Sequence, residues 1–194
     1  MISTIFSAFR VAEIRKKLLF TAGVLALYRL GSFIPVPGIN TEAVDQIQNN
    51  YSTGVLNLLN TFTGGGLSRM AIFALGIMPY ITASIILQLL VVVSPALEKL
   101  QKEGEVGQAR ITQYTRYLTV GLAAAQAVGY AFLFRSQGNA GGAPVFETFN
   151  AGTVILVVLC FTAGSILVMW MGELITQRGI GNGISLMIFA SIVS

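Results

Sequence analysis

The feature that most constrains this chain is an uncharged run of membrane length, preceded by an apolar segment too short to span. Residues 70–93 (MAIFALGIMPYITASIILQLLVVV) are 24 positions without a charge, enough to cross a hydrocarbon core of about 30 Å. Ahead of them, GVLNLLNTF places Val55, Leu56, Leu58, Leu59 and Phe62 at helical spacing and runs into Gly64, Gly65 and Gly66. The pattern predicts a half-helix, a glycine break and then a full span. Irregular backbone at membrane depth persists only where protein buries it or where it lines a cavity. The chain is therefore expected to build a pathway as well as an anchor.

Composition fits that expectation. Of the 194 residues, 54% are apolar and 10% charged, the balance of an integral membrane protein. Histidine is absent, and Cys160 is the single cysteine. Haem, zinc and disulfide chemistry thus have no ligand set, and no cofactor or metal is expected. Cys160 itself reads as a small helix-packing residue.

Four complete spans are expected, over about residues 18–34, 70–93, 117–134 and 153–171. A fifth begins at 184 and reaches 194, about 16 Å of helix at 1.5 Å per residue, so the chain is expected to be an excerpt of a longer protein. Nine basic residues (Arg10, Arg15, Lys16, Lys17, Lys99, Lys102, Arg110, Arg116, Arg178) fall on one side of these spans, against Arg69 and Arg135 on the other. The bias places the N-terminus in the cytoplasm. Tyr117, Phe134 and Trp170 sit near span ends, as interfacial rings would. Pro35 and Pro37 follow the first span without a small-residue cleavage site, so no signal peptide is evident.

The remaining segments follow from this frame. Residues 3–16 are expected to form a surface-lying helix, and 38–53 a polar external stretch. Ser94-Pro95 should end the second span; 98–113 is expected as a cytoplasmic loop and 136–144 as a flexible external one. Asn50-Tyr51-Ser52 matches a glycosylation sequon, a pattern common by chance. Arg178-Gly179-Ile180-Gly181-Asn182-Gly183 fits neither the dinucleotide fingerprint nor the P-loop, and reads as a reentry turn with Asn182 available as a cap.

Several residues carry two readings. Arg29, two-thirds of the way along the first span, either has a function or buried partner, or snorkels to the interface. Pro79 is expected to kink the second span. Thr82, Ser84 and Gln88 follow it, and the polar face shared by 84 and 88 turns to a pore or to a neighbouring helix. Ile77 and Ile81 are four apart, as are Ile184 and Ile188. Such pairs are ordinary packing in membranes, and spacing alone makes only a weak case for an apolar constriction. No cluster of acid, base and nucleophile appears, and no enzymatic activity is expected.

Three stretches then become familiar together: FTGGGLSRMAIFALGIMPYITASIILQLL, KEGEVGQARITQYTRY and GELITQRGIGNGISLMIFA. They resemble the bacterial SecY family, as does YRLGSFIPVPGI, and the resemblance covers nearly the whole chain. It implies an all-α, polytopic membrane helix bundle, the N-terminal half of an inverted-repeat channel of ten spans. The implied function is protein conduction: unfolded secretory polypeptides across, and membrane proteins laterally into, the bacterial cytoplasmic membrane.

By the same resemblance, Ile77, Ile81, Ile184 and Ile188 match pore-ring positions. The segment 55–69, with Val55, Leu56, Leu59, Phe62, Gly64, Gly65, Gly66 and Arg69, matches the plug. Thr82 and Gln88 lie on the implied lateral gate. The implied partners are SecE and SecG, SecA, the ribosome, signal sequences and translocating polypeptides, membrane lipids, and the C-terminal half of the same protein. A half of this kind is not expected to conduct alone. A small-solute transporter and a structural subunit without a pathway are the competing readings.

Overall fold

Seven helices are traced among the described residues of the computed structural model, which are 11–40, 43–44, 55–141, 144–146 and 149–193. The sequon at 50–52, most of the surface helix at 3–16 and most of the polar stretch 38–53 lie outside the described residues. So do the side chains of Val55, Leu56 and Leu59. The helices are α1 (Ala12–Gly31), α2 (Val55–Phe62), α3 (Met78–Val93), α4 (Pro95–Lys102), α5 (Glu105–Gly141), α6 (Ala151–Arg178) and α7 (Gly183–Val193). Two isolated antiparallel bridges, Pro35 with Ala71 and Ile39 with Phe146, are the extended pairings among the described residues.

Two helices, α5 and α6, are long and apolar enough to cross a membrane, with α3 and α4 a third if that bent pair is one span. The fold is an all-α polytopic membrane bundle. The first expected span forms a helix that ends at Gly31, not at 34, because residues 32–36 turn away to pair with 70–72. Every 18-residue stretch of α1 also contains Arg15, Lys16, Lys17 and Arg29, which keeps its apolar character low.

The second expected span needs the larger correction. Its helix starts at Met78, and residues 63–77 are a chain of turns. Met70 and Gly76 have φ of 44° and 55°, the left-handed region that ends a right-handed helix. The Val36 N–H donates to the Met70 carbonyl at 3.1 Å and the Ile72 N–H to the Ile34 carbonyl at 2.9 Å. These bonds replace the intrahelical ones, so the uncharged run does not become one helix. Pro79 consequently starts α3 rather than kinking it. Its missing N–H costs nothing in a first turn, where that donor has no intrahelical partner.

α3 is 16 residues, about 24 Å at 1.5 Å per residue. Ser94 is extended (φ −98°, ψ 114°) and Pro95 opens α4, turning the chain by 100°. Apart from a turn at Glu103-Gly104, residues 98–113 are thus helical, divided between α4 and the start of α5, and α5 continues to Gly141 where a loop was expected. Leu97 and Leu100 pack with Leu87, Val91, Ile111 and Leu118, tying α3, α4 and α5 together.

α6 is the central column, touching α1, α3, α5 and α7. On one side Ala123, Ala127 and Ala131 of α5, each fully buried, let that helix approach Val157 and Phe161; small residues permit such close contact in membranes. Leu67, Met70, Ala74 and Leu75 of the turn segment complete this cluster, with Cys160 packed against it. Gly164 faces the Ile72 carbonyl so closely that a Cβ there would collide with it. Phe134, expected as an interfacial ring, is a core residue at 4% exposure, whereas Tyr117 and Trp170 are exposed.

Candidate functional site

The second apolar cluster brings the four isoleucines of the sequence analysis together. Ile77 is buried, and Ile81, Ile184 and Ile188 pack around it with Val24, Tyr28, Phe73, Tyr80, Val168, Met169, Ile175 and Met187. A Cβ placed on Gly172 of α6 would lie 3.5 Å from Ile77 Cδ1 and 4.0 Å from Ile184 Cγ1. The start of α3 and the start of α7 therefore converge on one glycine. Position 183 is closer still: a Cβ there would strike the Gly172 carbonyl. Chemically the site is an apolar junction of aliphatic and aromatic side chains, with no charged residue among them.

α7 is held in that place by its own first turn. The Asn182 Oδ1 accepts the Ile184 N–H at 3.0 Å, the capping contact expected of it. Thr176 Oγ1 accepts the Gly183 N–H at 2.9 Å and donates to the Gly172 carbonyl at 3.0 Å. Gly181, at φ 72°, makes the reversal that a side chain would resist.

Next to this junction lies the glycine break. α2 packs against α7, and the turns after it are cross-tied: the Asn60 carbonyl accepts the Gly65 N–H at 2.9 Å, and Asn60 Oδ1 accepts the Ser68 N–H at 2.9 Å. Thr63 Oγ1 accepts the Leu67 N–H at 3.2 Å. Gly64 and Gly65 have φ of 64° and 79°, and Gly66 has the Phe73 carbonyl within 3.2 Å of where a Cβ would sit. Thr63, Gly64, Gly66 and Leu67 are buried, whereas Phe62 and Arg69 are exposed. The irregular backbone here is thus largely covered by protein, as membrane depth would require.

Polar side chains that the sequence reading did not single out fasten this segment. Tyr28 is 1% exposed; its hydroxyl lies 2.7 Å from Ser191 Oγ of α7, with the Thr63 carbonyl a longer acceptor at 3.4 Å. Its ring stacks on Phe73 at 5.9 Å between centroids. A tyrosine and a serine inside apolar helices must find polar partners, and that was the available signal. Arg29, left open between two readings, has a partner: Nη1 donates to the Gly64 carbonyl at 2.8 Å.

The residues 82–88 diverge from the isoleucine junction. Thr82 donates to its own helix at the Met78 carbonyl, 3.0 Å, and Gln88 is exposed, with its Nε2 3.4 Å from Ser84 Oγ. Ser84 and Gln88 line a cavity of about 220 Å³ between α3, α4 and α5, with Gln101, Gln108, Thr112 and Thr115. Their shared face therefore lines that cavity beside α4 and α5, with Gln88 still exposed.

An ion pair outside the expected spans was also missed. Arg116 of α5 grips Glu173 of α6 through Nε to Oε1 at 3.0 Å and Nη2 to Oε2 at 2.6 Å. Glu173 is 9% exposed. The sequence reading stopped the fourth span at 171, so this carboxylate fell just outside it; α6 runs on to Arg178.

Comparison with known proteins supplies the remaining context. A family model described as SecY matches residues 71–194. The protein translocase subunit SecY of Streptomyces coelicolor is 50% identical over 202 residues, covering 100% of this chain and 46% of that protein. The chain thus spans under half the length of this relative. Among solved structures, Sec61 in the canine ribosome–channel complex from the endoplasmic reticulum is similar, with a TM-score of 0.64 and 24% identity over 94% of this chain and 38% of that one. A SecY structure described by a plug domain that stabilises the closed state of its channel gives a TM-score of 0.60 at 24% identity, over 93% and 36%. At that identity the two structures establish the fold.

Proposed function

The chain belongs to the SecY family, and from that premise we propose that it is the N-terminal half of a protein-conducting channel in a bacterial cytoplasmic membrane. The observation that carries this reading is the convergence of Ile77 and Ile184 at Gly172, beside a short helix and glycine break that pack against α7. An extended polypeptide must pass while ions do not. Aliphatic side chains conform to varied sequences without specific bonds, and a narrow dry ring denies ions their hydration.

In this reading Ile77, Ile81, Ile184 and Ile188 form half of the pore ring, and residues 55–69 are the plug that seals it at rest. Val55, Leu56, Leu59, Phe62, Gly64, Gly65, Gly66 and Arg69 belong to that plug. Thr82 and Gln88 lie on one side of the lateral gate, through which signal sequences reach lipid. The N-terminus is cytoplasmic, consistent with the nine basic residues on its side. The other half of the ring and gate comes from the C-terminal half of the same protein. SecE and SecG are the companion subunits, and SecA or the ribosome supplies the energy. The channel subunit itself performs no covalent chemistry.

The full-length protein carrying Ile77→Asn together with Ile81→Asn tests this. Polar side chains hydrate the ring, so resting ion conductance is expected to rise and precursors with defective signal sequences to be exported. An unchanged seal and unchanged signal selectivity, at normal channel abundance, removes the pore-ring assignment.

A further inference from the structure

Arg29 is expensive where it stands, within an apolar helix, and the structure shows what it contacts. Its Nη1 donates to the Gly64 carbonyl at 2.8 Å, a bond from a charged donor across 35 residues of sequence. Gly64 and Gly65 are the two consecutive residues with positive φ in this break. There the backbone has the most freedom, so one external bond at that point has the greatest effect on where the segment sits.

The guanidinium is also held from another direction. Its central carbon lies 5.1 Å from the centroid of the Phe33 ring, and that of Arg69 lies 4.2 Å from the same ring. Phe33 follows α1, and Arg69 follows the glycine break. One ring therefore joins the two ends of the contact: the helix that donates the bond and the turn that receives it. A planar guanidinium can use an edge for a carbonyl and leave its face for a ring, which an ammonium cannot match.

We propose that Arg29 is a positioning residue that latches the glycine hinge of the plug in its seated state, with Phe33 orienting its guanidinium. The latch rests on the reading of residues 55–69 as a plug. Opening breaks the Arg29–Gly64 bond and frees the hinge, and reclosure restores it. Because Arg29 is fixed on α1 and not on the moving segment, it sets the seated position without travelling with the plug.

The test uses the full-length protein with its partner subunits in liposomes, reading resting ion conductance per channel. Four variants are compared with the parent: Arg29→Met, Arg29→Lys, Phe33→Leu and a deletion of residues 57–66. Arg29→Met is expected to raise resting conductance about tenfold, the loss of one hydrogen bond to a charged group, approaching the deletion. Arg29→Lys and Phe33→Leu should lie between Arg29→Met and the parent. A merely structural role would lower the yield of assembled channel and leave conductance per channel unmoved. A leaking deletion with sealed Arg29→Met overturns the latch and leaves the plug reading standing. A deletion that does not leak overturns both. Should Arg29→Met fail to assemble, the two milder variants decide: leak in either supports the latch, and parental sealing in both overturns it.

Discussion

At the scale of single residues, burial decides which half of an ion pair matters more. Glu173 has 10% of its side chain exposed and Arg116 has 38%. Removing the arginine leaves a carboxylate stranded among helices, whereas removing the carboxylate leaves a guanidinium that still reaches water and Gln113, whose Oε1 accepts Nη1 at 3.2 Å. Arg116→Met is therefore expected to cost about 2–3 kcal/mol, and Glu173→Gln about 1 kcal/mol or less. Thermal unfolding of the purified full-length protein in detergent ranks them, and the reverse order would show that the desolvation argument is wrong. Much of this was illegible in the sequence. Arg116 and Glu173 are 57 positions apart, and nothing in either local pattern names the other.

At the scale of elements, the contrast between residues 70–77 and 78–93 is instructive. Both are apolar and uncharged, and hydropathy alone merges them into one helix. The Ile34, Val36 and Met70 backbone bonds, the Phe73 ring against Gly31 and the Ile72 carbonyl against Gly164 separate them. All are long-range contacts that outweigh helix propensity. This assigns Pro79 a place that can be checked. As a residue of the first turn of α3, it fixes φ without sacrificing a bond, so Pro79→Ala should change stability by less than about 1 kcal/mol. Amide hydrogen exchange should leave 70–77 without a helical protection pattern. Helical protection spreading back to residue 70 in the alanine variant would reinstate the kinked-span account. The end of the second span at Ser94-Pro95, by contrast, was readable, because its cause is local: proline restricts the residue before it; the 100° turn into α4 was not.

At the scale of the whole molecule, α6 organises the packing around the isoleucine junction. It presents Gly164 to the turn segment and Gly172 to the isoleucine junction, and it anchors α5 through Glu173. The two glycines are not equivalent. A Cβ at 164 collides with backbone that cannot move aside, whereas one at 172 meets side chains at ordinary contact distance. Gly172→Ala should accordingly be tolerated in the full-length protein. Gly172→Leu drives a branched side chain between Ile77 and Ile184, an overpacking that costs about 1–3 kcal/mol. It should raise the resting ion conductance of assembled channels above that of Gly172→Ala. Equal conductance in the two variants would detach Gly172 from the seal. The prediction lives at this scale because no single helix creates the junction; α3, α6 and α7 do.

Local chemistry was sufficient for the membrane class, the uneven distribution of basic residues, the glycine break after a short apolar helix, the helix end at Ser94-Pro95 and the cap at Asn182. Each depends on residues a few positions apart, whose steric and solvation preferences act within one turn of chain. The isoleucine pairs were visible, but only as a weak pattern until resemblance to the SecY family gave them a role. Tertiary structure alone decided that residues 63–77 are buried turns, that Arg29 reaches Gly64, that Tyr28 meets Ser191, and that Arg116 pairs with Glu173. Those outcomes join groups 35 to 163 positions apart. Buried polar groups favour a partner in the absence of water, but which partner depends on how the helices pack.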